Sequence, residues 1–546
     1  GDKIMRKIFS ALIAGLIAVT CLAGCGGESS TTGGGNTDYS DRPVRFEFSY
    51  YAGGFGREWL EAVTKDYMDN VNTDVYIKLR SSSSNPTARG YISAGVGASD
   101  LHQIEFDMFD MASSLEDISD VYEMTVYGEN VKVKDKISPE MIDFYNEDGK
   151  FYQLSMNRNT GWNWVYNGSV LDKVFGENGY TLPRTTNEFL SFGKTLYENG
   201  VYLTAGALAD TQGGEYLHYA FDTWFAQMLG YEGNAKYFGG YTKNADGEWE
   251  FCSETPKMIE DNRAAIEAVY GLSEKLLKKD VTLQYLHKES GSMNYKDLDA
   301  VFYGGRFKKQ DVMPFAFAYI GEWLEREVDV FFEDGTLKNR EQGIKAMKMP
   351  VISEIISRTP SIRDDATLIK VVDYVDGKGE LPSGVTAADA EIIREARNMH
   401  TENLCNQLVI PKTAKNKDAV KAFIAYLCSD RAQKIASRAA SGSVILPFGY
   451  TPTDEDMGFT ISEFIKSFRD TSSSTTIIDA SKLNNKFVQV TNLSWYYDKL
   501  NPSREIAKDI FGGRYTPVSE IYQSTYDNYA RTWKTVVGNY ESSLNK

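Results

Sequence analysis

The sequence predicts an α/β protein of at least two domains, on three observations. The stretch after residue 42 opens strand, helix, strand. Strand-like and helical segments then keep alternating along the chain. Residues 42–546 are also too many for one hydrophobic core to cover. A β-α-β opening makes the sheet at least partly parallel and covers it with helices.

In chain order, the N-terminal segment stands apart from that body. From Met5, Arg6 and Lys7 form a short basic patch, and Ile8 to Leu22 is mainly apolar. The run suits the apolar region of a signal peptide and is short for a membrane span. Leu22-Ala23-Gly24-Cys25 follows and resembles the lipobox of bacterial lipoproteins. That resemblance implies a signal peptide over 1–24 and lipidation of Cys25, against simple secretory cleavage or an uncleaved anchor. Residues 25–41 are rich in Gly, Ser and Thr, cannot form a core, and read as a flexible tether. Acyl chains on Cys25 would hold one end in the bilayer.

The body begins with "VRFEFSY", an alternating strand over 44–50. A turn with Gly53, Gly54 and Gly56 leads to a helix with Trp59, Leu60, Val63 and Tyr67 at helical spacing. "TDVYIKL" returns to strand. "RGYISAGVGASDLHQIEF" reads as helix, turn at Gly95 and Gly97, then a short buried strand. Two strands flank Asn157 to Thr160. A helix begins near Pro183, with Thr185, Thr186 or Asn187 as its cap. A long helix is expected over 258–279, a buried strand in "VMPFAFAYIGEW", and a strand, Pro411 turn and helix in "LVIPKTAKNKDAVKAFIAYL". Several helices follow Gly449.

The formal charge is −17, and residues 1–24 contribute +2, which leaves −19 for the rest. That disfavours nucleic acid and gives the body no attraction to anionic lipid. Aromatic residues make up 13%, with 34 Tyr and 8 Trp. They supply core, or they line a polar cleft that recognises rings.

Four pieces, in this order, resemble the extracellular solute-binding proteins of bacterial ABC importers, in the sugar-binding family that includes maltodextrin-binding proteins. They are the lipobox with its tether, "GWNWVYNGSVLDKVFGENGYTLPRTTNEFLSFGKTL", "LDAVFYGGRFKKQDVMPFAFAYIGEW" and "LVIPKTAKNKDAVKAFIAYLCSDRAQK". Gly305-Arg306-Phe307-Lys308-Lys309 departs from the family's glycine-lysine-alanine-methionine run, and the 350–400 region and the tail look long. The resemblance implies a two-lobed periplasmic-binding-protein-like α/β fold (type II) with ligand in the interlobe cleft. It assigns 42–157 and 320–435 to the first lobe and 158–319 to the second. The helical part 436–546 joins mainly the second.

The same resemblance implies a monomeric receptor, lipid-anchored on the outer face of the membrane. It would bind carbohydrate without a cofactor and pass it to an ABC permease. A sugar has hydroxyl edges and apolar C–H faces, so its site needs aromatic platforms beside fixed polar partners. Trp323, Trp162, Trp164 and Trp224 are the platform candidates, with core packing as the competing role of each. Tyr50, Tyr51 and Gly54 follow the first strand, and Asp107 and Asp110 follow a later one, where α/β ligand loops open. Asn157, Asn159 and Asp222 complete the candidates, as hydrogen-bonding groups.

Signals for catalysis are weak. His102, His218, His287 and His400 are isolated, and no HExxH, GxSxG or GxxxxGK[ST] pattern occurs. "NADGEWE" at 244–250 shares part of a calcium loop but lacks its spacing, so a hairpin or loop is expected and no metal site. Cys252, Cys405 and Cys428 are dispersed and read as small buried hydrophobes, with one bridged pair still open. The competing functions are a receptor for a peptide or anionic glycan, a surface glycoside hydrolase or lyase, and a scaffold lipoprotein.

Overall fold

The computed structural model describes most of residues 41–544. Outside the described residues lie 1–38, 40, 52–55, 82–84, 105–107, 159–162, 210–216, 280–281, 322–323, 325–342, 401–403, 474–475, 478–486, 488–508, 514–515 and 545–546. The chain divides into two units, 1–42 and 43–546. Cys25 and nearly all of the tether fall outside the described residues, and the account below concerns the larger unit.

Nine strands build its two main sheets. They are β1 (Val44–Tyr50), β2 (Val75–Ser81), β3 (Leu101–Ile104), β4 (Leu154–Arg158), β5 (Asn163–Asn167), β6 (Tyr202–Thr204), β7 (Phe315–Ile320), β8 (Ile344–Met347) and β9 (Leu404–Val409). The first sheet runs β2-β1-β3-β9-β4. β1 is parallel to β2 and β3, and β9 is antiparallel to β3 and β4. The second runs β8-β5-β7-β6, with β5 antiparallel to both β7 and β8 and β7 parallel to β6.

The principal helices, in chain order, are α1 (Glu58–Asp66), α2 (Asn85–Ala94), α3 (Thr186–Glu198), α4 (Leu217–Leu229), α5 (Tyr231–Phe238), α6 (Arg263–Leu277), α7 (Tyr295–Gly304), α8 (Asp365–Val375), α9 (Ala387–Arg397), α10 (Lys417–Leu427), α11 (Asp430–Ala439), α12 (Glu463–Ser473) and α13 (Val518–Leu544). α1 buries Trp59, Leu60 and Val63, which fall on one face at helical spacing. α10 does the same with Val420, Phe423, Ile424 and Leu427. The Phe423 ring lies 6.0 Å from Phe46, 6.0 Å from Phe48 and 5.1 Å from Tyr67, so it joins sheet and helix in one core. Thr185 caps α3 by accepting from the Glu188 N–H at 3.2 Å.

Two expectations need correction. The helix expected over 258–279 is broken at Asn262, whose side chain donates to the Met258 carbonyl at 2.8 Å and diverts the backbone. The lobe boundaries also move. Ile344–Met347 pairs with Asn163–Asn167, so β8 belongs to the second sheet rather than the first. α9 sits with it, because Gln227 of α4 donates to the Ala396 carbonyl at 3.0 Å. The chain returns to the first sheet only at Leu404.

Arg431 of α11 pairs with Asp66 of α1 at 2.6 Å. α12 then lies on β8, where Ser467 Oγ accepts from the Ala346 N–H at 2.7 Å. Among the described residues the chain thus changes sheet between β4 and β5 and again before β9, and α11 on the side of the first sheet is followed by α12 on β8.

Candidate functional site

The strand registers show which strand ends lie together. Phe48 pairs with Leu101, Ile104 with Gln407, and Ser155 with Gln407. The C-terminal ends of β1, β3 and β4 and the N-terminal end of β9 therefore share one edge of the first sheet. In the second sheet Asn163 pairs with Ile320, Trp164 with Met347, and Thr204 with Phe317. The start of β5 and the ends of β6, β7 and β8 likewise share one edge. In chain order β4 of the first sheet is followed by β5 of the second, and β9 belongs to the first again. Loops beyond the C-terminal ends of strands are where open α/β sheets bind ligands.

Several sequence candidates map to these edges. Tyr50 ends β1 and is buried; burial raises its phenol, with Arg57 opposing and Glu61 adding to the shift. Tyr51 follows it, half-buried. Asn157 lies in β4 opposite Cys405, and Asp110 in a 3-10 turn over Phe109–Ser114; both side chains lie outside the described residues. Asp222 sits on α4, partly exposed. Trp323, Trp162, Gly54, Asp107 and Asn159 also lie outside the described residues.

Two candidates are corrected. Trp164 and Trp224 are both 0% exposed. β5 is covered on one face by α3 and α4, and Trp164 fills that layer, 4.9 Å from Phe189, 5.4 Å from Tyr319 and 6.2 Å from Trp224. The Trp224 indole donates to the Pro350 carbonyl at 2.9 Å. Both are core of the second lobe.

Asn163 was not among the candidates. It starts β5, is 2% exposed, and its Nδ2 has no hydrogen-bond partner among the described residues. A buried amide donor left open at the sheet edge suits a hydroxyl acceptor. Its only sequence signal was its place between Trp162 and Trp164.

Other polar groups near the edges are already engaged. Lys348, just past β8, donates to Asn398 at 2.9 Å and faces Asp376 at 3.7 Å. His287 accepts from the Glu289 N–H through Nδ1, so Nε2 carries the proton and donates to the Met313 carbonyl. Burial pushes both His287 and His102 down to about 4, which keeps them neutral. The 244–250 stretch forms the expected hairpin, with Asn244 Oδ1 accepting from the N–H groups of Asp246 and Glu248. Among the described residues no cluster of His, Cys, Asp or Glu gathers as a metal site.

This architecture matches solved structures over nearly their whole length. A chitin oligosaccharide binding protein aligns with a TM-score of 0.55 at 14% identity, over 89% of this chain and 99% of that one. The fold is that of the two-lobed solute-binding proteins. The raffinose-bound protein RafE gives 0.54 at 13% identity, covering 90% of this chain and 100% of its own. The ABC substrate-binding protein Lmo0181 from Listeria monocytogenes, in complex with cycloalternan, gives 0.51 at 14%, covering 90% and 99%. No family model and no curated protein sequence matches the chain.

Proposed function

We propose that this chain is the substrate-binding lipoprotein of an ABC importer. It captures a sugar or oligosaccharide between its lobes and delivers it to a membrane permease, without chemistry of its own. What supports this reading is a pair of separate sheets, each gathering strand ends along one edge, in a fold shared with proteins bound to raffinose and cycloalternan. Trp323 and Trp162 are the proposed platforms. Asn163, Asn157, Asn159, Asp107, Asp110 and Asp222 are the proposed polar partners, with Tyr50, Tyr51 and Gly54 at the β1 end. Cys25 is the proposed lipid anchor on the outer face of the membrane, and the body acts as a monomer.

The test is thermal unfolding of the purified protein against monosaccharides, α- and β-linked oligosaccharides and uronic acids. A ligand of the native state stabilises it by RT ln(1 + [L]/Kd), about 2.7 kcal/mol at 100 times Kd. The expected result is a selective rise in Tm, with a saturable titration, a smaller radius of gyration and no product formed. Stabilisation by peptides or polyanions alone would refute the sugar reading. Product formation would refute the transport reading.

A further inference from the structure

We propose that the outer face of the second lobe carries a second saccharide site, separate from the cleft. It stands apart from the cleft reading and rests on different residues. A cavity of about 930 Å³ opens where the C-terminal end of α4 meets the hairpin Tyr241–Phe251, α6 and α9. That volume falls within the usual range of small-ligand pockets. Tyr241, Trp249, Asn244, Asn262, Arg358 and Glu395 are among its lining residues.

Two of its polar groups keep open hydrogen-bonding capacity. Arg358 is half-buried, and its guanidinium makes one hydrogen bond, from Nη1 to the Gln227 carbonyl at 2.9 Å; the Glu395 carboxylate acts on it through charge, without a direct ion pair. Glu395 uses Oε1 to accept from the Tyr231 N–H at 2.7 Å, and its Oε2 has no hydrogen bond among the described residues. The two open groups converge on Gly230. A Cβ there would lie 3.2 Å from Glu395 Oε2 and 3.3 Å from Arg358 Nη2, so the glycine keeps that space clear. A donor and an acceptor side by side are what adjacent hydroxyls of a sugar ring require, since each hydroxyl both donates and accepts.

The apolar half of the site is also present. The Trp249 ring is held in place, with Nε1 donating to Glu232 at 2.9 Å and the Lys243 ammonium 4.9 Å from its centroid. The cations of the lining, Lys243, Lys257 and Arg358, are matched in number by Glu232, Asp261 and Glu395, and Lys257 pairs with Asp261 at 3.0 Å. This balance favours a neutral polyol over an ion. The distance from the cleft follows from α4. Its first residue, Leu217, packs near Gly206 just beyond β6, and its last lies at the cavity. Thirteen helical residues separate the two by about 18 Å.

The experiment is calorimetric titration with maltotriose, raffinose and chitotriose on the native protein, Trp249→Ala and Glu395→Gln. Glu395→Gln keeps an oxygen for the Tyr231 N–H, and thermal unfolding establishes that each variant is folded. The expected result is a saccharide-binding event that both folded variants weaken tenfold or more. Cleft binding, read separately as lobe closure by small-angle scattering, should persist in both. Saccharide binding unchanged by both substitutions overturns the proposal, as does capture of inorganic phosphate or sulfate in place of sugar. If sugar binds without lobe closure and the variants abolish it, the outer site stands and the cleft reading falls. If no saccharide binds, both fall.

Discussion

Trp164→Ala separates a core tryptophan from a ligand platform. The side chain is fully buried against three aromatic rings between β5 and the α3–α4 layer. Truncating a buried Trp removes its transfer free energy and leaves a cavity, which costs about 3–5 kcal/mol. At about 2–4 °C per kcal/mol for a domain the size of one lobe, Tm should fall by about 6–20 °C. Trp164→Phe keeps most of the ring contacts and should fall by less than half as much. Differential scanning calorimetry reads the shift, and sugar titration well below the melting range reads the site. A Tm within 2 °C of the parent, together with lost sugar binding, would refute the core assignment and return Trp164 to the cleft.

Further outcomes follow from buried charge and buried thiols. Arg397 and Asp376 pair at 2.8 Å with both side chains 8% exposed, and Arg397 also donates to the Met349 carbonyl. Asp376→Ala should cost about 3–5 kcal/mol in a denaturant titration, because it strands a buried guanidinium. Burial pushes the Asp376 carboxyl up, but the hydrogen bonds and charge of Arg397 outweigh it and leave it below its ordinary value. Its stabilisation is thus complete above the unfolded carboxylate range near pH 4 and is lost as pH falls further, a loss that Asp376→Asn should remove. His102 and His287, held down at about 4, act at higher pH. The unfolded chain binds protons there first, so stability should drop from pH 6.5 to pH 5 by about 1.5 kcal/mol per histidine, and His287→Asn should flatten the slope in urea titrations. Cys252 and Cys428 are free, buried, and have raised thiol pKa values. Alkylation followed by peptide mapping should label both in urea and neither in the native state.

Local order was legible where a short pattern decides the structure. The alternation in "VRFEFSY", the glycine turn at 95 and 97, the Thr185 cap and the Pro411 turn all fold as their residues imply. Lobe membership was not legible, because strand pairing is non-local. Nothing in "IKAM" says that it adds to the edge beside β5 instead of returning to the first sheet. The tryptophans show the same limit. A period of two puts Trp164 on one side of a strand, but which side faces α3 and α4 depends on helices far along the chain. Asn163 was hidden for the converse reason, since an amide between two tryptophans carries no pattern until its burial is known.

The segment between α11 and α12 bears on what closure of the lobes would require. It is a strap held from both ends. Gln433 of α11 donates to the Phe448 carbonyl at 3.3 Å, and Arg469 of α12 donates to the Gly442 and Pro452 carbonyls at 3.0 and 3.3 Å. Each of these bonds spans from a helix anchored on one lobe to the strap itself, so bending must preserve them or exchange them. On the receptor reading, a sugar moves the open–closed equilibrium only by its differential affinity for the two states. Any of these bonds broken on bending would change the equilibrium from which that shift starts. The strap residues would therefore tune apparent affinity without touching the ligand, whereas Trp323, Trp162 and Asn163 would act through contact.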